Sequence, residues 1–183
     1  MGKGAALRVL FLGTPEFAVP TLRALLASRH QVVGVVTQPD RPRGRGRQVV
    51  PGPVKAAAVA AGVPVWQPER IRQPDVLDQW RALDLDLAVV AAYGKILPAD
   101  FLAIPRLGAV NVHASLLPRW RGASPVHHAV AAGDTETGVT IMRVVEALDA
   151  GAMFARAVLR IGPEDTAGDV EAALATLGAP LLV

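Results

Sequence analysis

The sequence predicts an α/β protein, built as a Rossmann-like, doubly wound and mostly parallel sheet with a mixed C-terminal edge. Three observations carry that expectation. Short apolar runs alternate with helical-period segments from Arg8 to His113, the rhythm of strand-crossover-strand units. Those runs are continuous rather than alternating, as strands covered on both faces must be. Beyond Ala132 two β-rich runs are separated only by a short turn-like stretch, which makes a hairpin and an antiparallel edge.

Taken in order, RVLFLG (Arg8–Gly13) is a strand that meets a Gly-Thr-Pro turn. Glu16 to Ser28 has helical spacing at Phe17, Leu22, Leu25 and Leu26, and it tolerates Pro20 only in a first turn. QVVGVVT (Gln31–Thr37) is a second buried strand. The Arg-, Gly- and Pro-rich segment that follows, to Pro53, is expected to lack regular structure. Ala-rich Val54 to Ala61 is helical, VPVW (Val63–Trp66) is a third strand and Pro74 to Leu83 a helix. Asp86–Gly94 is a fourth strand, Ala99–Ala103 a short helix and Gly108–His113 a fifth strand. Pro125–Ala132 is helical, and Thr137–Val145 with Ala152–Ile161 form the hairpin. Thr166 caps a closing helix that runs to Leu182.

Composition excludes several classes. The 183 residues are 51% hydrophobic and 19% charged, which suits one globular domain rather than a disordered chain. Without cysteine there are neither disulfides nor thiolate chemistry. No run approaches the roughly 18 apolar residues of a membrane span, and the N-terminal apolar run is too short for a secretory h-region. A soluble, cytoplasmic protein is expected. The net charge of +3 is unevenly spread: Arg41, Arg43, Arg45 and Arg47 alternate in one segment, while Glu164, Asp165, Asp169 and Glu171 cluster near the end. The arginines form either a solvated loop or a contact for a polyanion.

In open α/β sheets ligands sit beyond the carboxyl ends of the strands, where strand order reverses. NVHASLLPRWRGASPVHH, beginning at Asn111, lies at such an end. Asn111 and His113 are two apart on a strand and share a face. An amide beside an imidazole is either an oxyanion site or a polar pair closing a strand end. Asp149, in the hairpin segment EALDAG, is either a turn aspartate or a carboxylate that folds back to orient His113. The turn GTPEF lacks both the dinucleotide-binding glycine spacing and the P-loop lysine, and no G-x-S-x-G elbow is present. His30, His113, His127 and His128 lack metal-ligand spacing, so no metal is expected.

Four segments together resemble the methionyl-tRNA formyltransferases, within the folate-dependent formyltransferases. They are FLGTPEFAVPTL, TQPDRPRGRGRQVVPGPVK, AAYGKILP, and NVHASLLPRWRGASPVHHAVAAGDTETGVTIM followed by LDAG. The likeness runs from Arg8 to about Leu177. N-x-H-x-S-L-L-P with L-D-x-G marks the wider superfamily, and the arginine-glycine loop narrows it. The resemblance implies the formyltransferase fold and formyl transfer from 10-formyltetrahydrofolate to the amine of initiator methionyl-tRNA. Asn111, His113 and Asp149 align with the family's catalytic trio. Ser115, Leu116, Leu117 and Pro118 align with a loop lining the folate site, and Arg41, Arg43, Arg45 and Arg47 with a tRNA-gripping loop, Arg45 best of all. Ala147 stands where relatives commonly carry glycine, which stiffens the approach to Asp149. Residues 1–183 are expected to be the catalytic domain, without the family's C-terminal β-barrel-like tRNA-binding domain, and to be monomeric. The competing readings are another 10-formyltetrahydrofolate-dependent formyltransferase or hydrolase, or a noncatalytic RNA-binding relative.

Overall fold

The computed structural model describes residues 5–43 and 48–183, with side chains described outside residues 42–49. Strands β1 (Arg8–Gly13), β2 (Gln31–Val36), β5 (Val65–Trp66), β6 (Leu87–Ala91), β7 (Ala109–His113), β8 (Glu136–Arg143) and β9 (Met153–Arg160) form one sheet. Their order is β5-β2-β1-β6-β7-β8-β9. The pairs from β5 through β7 are parallel, and β8 and β9 join antiparallel, giving the expected mixed edge. The helices are α1 (Val19–Ala27), α2 (Pro53–Ala60), α3 (Pro74–Arg81), α4 (Ala99–Leu102), α5 (Pro125–Ala131) and α6 (Ala167–Leu182). Among the described residues no helix is long and apolar enough to cross a membrane.

Alternation along each strand sorts the core into two layers. Val9, Phe11, Val35, Val89, Val112 and Ile141 point to the face covered by α1, α2, α5 and α6. Leu10, Leu12, Val36, Ala88, Val90 and Ala109 point to the other face, covered by α3 and α4 with Trp80 and Phe101. Those two rings meet edge to face, their centroids 5.3 Å apart. Because both faces are covered, β1 and β6 are buried along nearly their whole length, which explains their unbroken apolar runs.

Local signals act as the sequence suggests. Pro20 lies in the first turn of α1, where its missing N–H costs nothing, after a 3-10 turn at Glu16–Ala18. Thr166 Oγ1 accepts from the Asp169 N–H, and Asp169 Oδ2 accepts from the Thr166 N–H, a reciprocal cap for α6. Thr166 beside it holds the Asp169 carboxyl below the usual range.

Three expectations change. The arginine-glycine segment carries a short antiparallel ladder, β3 (Pro42–Arg43) with β4 (Gln48–Val49), where no regular structure was expected. Its ends are drawn together by Asp40, which accepts from the Gly52 N–H and pairs with Lys55, so the flanking backbone falls into register. The third strand is shorter than expected, because only Val65 and Trp66 pair with β2. The hairpin is not tight: β8 ends at Arg143 and β9 starts at Met153, leaving a long connection that reaches over the sheet end.

Candidate active site

Strand order reverses at β1, with β2 and β5 on one side and β6 and β7 on the other. At this switch point the chain packs too closely for a side chain: a Cβ on Gly13 would lie 2.8 Å from both Ala18 Cβ and the Ala91 carbonyl oxygen. Helices α3 and α4 cover only the lower part of their face. Beyond them a cavity of about 720 Å³ opens, lined by Phe17, Tyr93, Asn111, His113, Met142 and Asp149 among others. That volume lies within the range of small-molecule sites, roughly 300–1,000 Å³.

β7 delivers two of these groups. Val112 points into the core under α6, so Asn111 and His113 point the other way, into the cavity. Asn111 stands opposite Met142 on β8, and His113 opposite Thr140. The third group comes from the connection between β8 and β9. A Cβ on Gly151 would stand 1.9 Å from the Arg143 carbonyl oxygen, so only glycine lets the connection fold back this closely. Asp149 adopts φ +46, a conformation that aspartate tolerates better than most residues. Its Oδ2 accepts from the Gly122 N–H at 2.7 Å. Ala147 does not prevent the fold-back.

The three residues therefore meet, with His113 Nδ1 3.8 Å from Asp149 Oδ2. That exceeds hydrogen-bond length, so Asp149 does not by itself orient the ring. The Trp120 carbonyl does: it accepts from His113 Nε2 at 3.0 Å. Because a carbonyl only accepts, Nε2 carries hydrogen and Nδ1 is the nitrogen turned toward the carboxylate. Sequence reading missed Trp120 and Gly122 because each acts through its main chain, which no side-chain pattern announces.

The segment Ser115–Pro118 lies differently. The Ser115 and Leu117 side chains are buried and do not line the cavity. Ser115 Oγ donates to the Arg119 carbonyl at 2.7 Å, while Thr140 Oγ1 donates to the Ser115 carbonyl and accepts from the Leu117 N–H. Leu116 packs against Gly138, and Pro118 is exposed after a cis peptide bond. Ser115, Leu116 and Leu117 thus tie the segment after His113 to β8.

A polar network ties the opposite wall to the arginine segment. Gln38 Nε2 and Thr14 Oγ1 both donate to the Tyr93 carbonyl, and Gln67 Nε2 donates to the Gln38 carbonyl and to Asp40. Lys55 beside Asp40 holds that carboxyl below the usual range. Arg41 is exposed next to this anchor. The Arg43 side chain, Arg45 and Arg47 lie outside the described residues. Tyr93 is buried with its hydroxyl unpartnered, and burial pushes it up to about 12. Among the described residues no group of His, Asp and Glu is arranged to hold a metal ion.

An open α/β sheet whose switch-point cavity gathers an amide, an imidazole and a carboxylate defines a class of ligand site with groups able to hydrogen-bond a carbonyl oxygen and to move a proton. The comparisons give that class its family. Residues 7–183 match the formyl transferase family model, and the chain belongs to that family. It is 54% identical over 177 residues to a methionyl-tRNA formyltransferase of Methylococcus capsulatus, covering 97% of this chain and 58% of the relative. It is 56% identical over 178 residues to one of Acidiphilium cryptum, covering 97% and 59%. The chain thus spans less than two thirds of the length of these relatives. Among solved structures, glycinamide ribonucleotide transformylase 1 from Symbiobacterium toebii superposes with a TM-score of 0.80 at 20% identity, covering 98% of this chain and 85% of that one. A formyltetrahydrofolate deformylase from Pseudomonas syringae gives 0.78 at 21% identity, covering 98% and 59%. These likenesses bear out the formyltransferase fold.

Proposed function

We propose that this chain is the catalytic domain of a methionyl-tRNA formyltransferase, moving a formyl group from 10-formyltetrahydrofolate to the amine of initiator methionyl-tRNA. The observation that carries the reading is the convergence of Asn111, His113 and Asp149 on one cavity at the switch point. The relatives at 54% and 56% identity support the choice of acceptor.

The cavity suits a folate in size and in lining, since Tyr93, Leu97, Val144 and Met142 supply apolar walls around the polar trio. Ser115, Leu116, Leu117 and Pro118 serve the folate side by fixing the wall on which His113 stands. In the reaction the amine nitrogen attacks the formyl carbon and the carbonyl electrons move to oxygen. Asn111 donates its amide hydrogen to that oxyanion, and His113 adds the hydrogen on Nδ1 when the ring is doubly protonated. Asp149, held by the Gly122 N–H, receives the amine proton. The intermediate collapses by breaking the bond to folate nitrogen, which leaves with the proton from His113 Nδ1; the proton taken up by Asp149 then passes to Nδ1, which it faces, and restores both groups. The products are formylmethionyl-tRNA and tetrahydrofolate.

Arg41, Arg43, Arg45 and Arg47 are the residues we assign to the acceptor-stem phosphates, in a segment whose flank is tied together by Asp40, Lys55 and Gln67. The test is formyl transfer from 10-formyltetrahydrofolate to methionyl-tRNA, with glycinamide ribonucleotide and water as rival acceptors. Preference for methionyl-tRNA supports the reading. Preference for a rival, or tRNA binding with no saturable folate site, overturns it.

A further inference from the structure

We infer that Trp120 is a positioning residue for His113, and that a clamp around its indole ring sets which imidazole nitrogen carries hydrogen. The inference rests on the reading of His113 as part of the formyl-transfer site. Trp120 does not line the cavity, so it acts through His113.

Trp120 adopts φ +57, in the left-handed region that a bulky residue rarely enters. Such a conformation persists only where the surroundings over-determine it. Here three contacts do so. The indole Nε1 donates to Asp134 Oδ2 at 2.7 Å. The ring stacks on His128, with centroids 5.5 Å apart and planes 16° from parallel. The Arg119 guanidinium lies 4.4 Å from the ring centroid and grips Asp134 with two hydrogen bonds, at 2.9 and 2.6 Å. Asp134 is itself fixed just past α5, where its N–H donates to the Ala129 carbonyl.

The consequence is the direction of one carbonyl. With the indole locked and φ positive, the Trp120 carbonyl meets His113 Nε2 at 3.0 Å. That acceptor keeps hydrogen on Nε2 and leaves Nδ1, facing Asp149, as the site where a proton arrives and departs. A neutral ring without this acceptor would be free to move its hydrogen to Nδ1, against the carboxylate, and would then present no basic nitrogen to the cavity.

The test uses Trp120→Phe, which keeps an aromatic stack but loses the Nε1 donor, and Asp134→Asn, which weakens both anchors. Two readouts are needed: the ¹⁵N shifts of the His113 ring in the free protein, and the division of any kinetic effect between kcat and KM. The expected result is a wild-type ring protonated on Nε2, a mixture of tautomers in both variants, and kcat lowered roughly 10- to 100-fold with an unchanged KM for 10-formyltetrahydrofolate. An unchanged His113 tautomer in either folded variant overturns the inference, even if activity falls. Should the wild-type chain transfer no formyl group, the proposed function fails separately, because the ring-nitrogen shifts need no turnover.

Discussion

His113 Nδ1 and Asp149 Oδ2 face each other across 3.8 Å, each held by a different main-chain group: the Trp120 carbonyl and the Gly122 N–H. The space between them is too wide for a direct hydrogen bond and suits a shared substrate hydrogen or a bridging water. Asp149→Asn keeps an oxygen for the Gly122 N–H but removes the charge. It is expected to lower kcat by roughly 10²–10⁴-fold while folate affinity changes little. Single-turnover kinetics with parallel folate titration check this, and an unaltered kcat would remove Asp149 from proton transfer.

Asn111 and His113 are predicted to act on the same oxyanion. Asn111→Ala should reduce turnover about 10²–10³-fold, the usual loss for one oxyanion donor. Asn111 is only partly buried at the cavity edge, so thermal stability should hardly change. A large drop in Tm with turnover per folded molecule preserved would make Asn111 structural instead.

The arginine-rich segment predicts a salt signature. Replacing any one of Arg41, Arg43, Arg45 or Arg47 by Ala should weaken methionyl-tRNA binding and reduce the slope of log affinity against log salt by about 1. Folate binding should be unaffected. An unchanged slope for Arg45→Ala would take that residue out of tRNA contact.

Tyr93 offers a test of the buried wall. Its hydroxyl is unpartnered and its ionisation is pushed up to about 12, so the neutral form is the one the fold accepts. In the unfolded chain tyrosine ionises near 10. The stability tied to this difference is present below pH 10 and is lost as pH rises toward 12. Tyr93→Phe should therefore lose less Tm than wild type between pH 9 and pH 11, and at neutral pH it should be as stable or slightly more so. Equal alkaline losses would show that Tyr93 is not the group responsible.

Acid should act through the aspartates. Asp40 is held low by Lys55 and Asp134 by Arg119, while the Arg8 N–H does the same for Asp86. Each contributes stability above the unfolded value of 3.8 that disappears as pH falls through its lower folded value. Urea midpoints should therefore decline below about pH 4. Asp40→Asn should flatten part of that decline.

Much of this was legible in the sequence, for identifiable reasons. Buried parallel strands need continuous apolar runs, so Arg8–Gly13 and Leu87–Ala91 were visible as such. Asn111 and His113 stood out because two polar side chains at a spacing of two must share a face. Asp149 could be named from L-D-A-G but not located, since its place depends on Gly151 passing the Arg143 carbonyl. The ring's actual anchor, the Trp120 carbonyl, was invisible: it depends on a positive φ imposed by Asp134 and His128. The ladder at Pro42–Arg43 and Gln48–Val49 was equally hidden, because Asp40 and Gly52 close it and local propensity does not.

The most direct measurement is a single-turnover assay of the 183-residue chain with radiolabelled 10-formyltetrahydrofolate and methionyl-tRNA, run beside His113→Ala. The account predicts formylmethionyl-tRNA from the wild type and a rate at least about 10²-fold lower in the variant. Label that stays on folate in both, or equal rates in both, would contradict it.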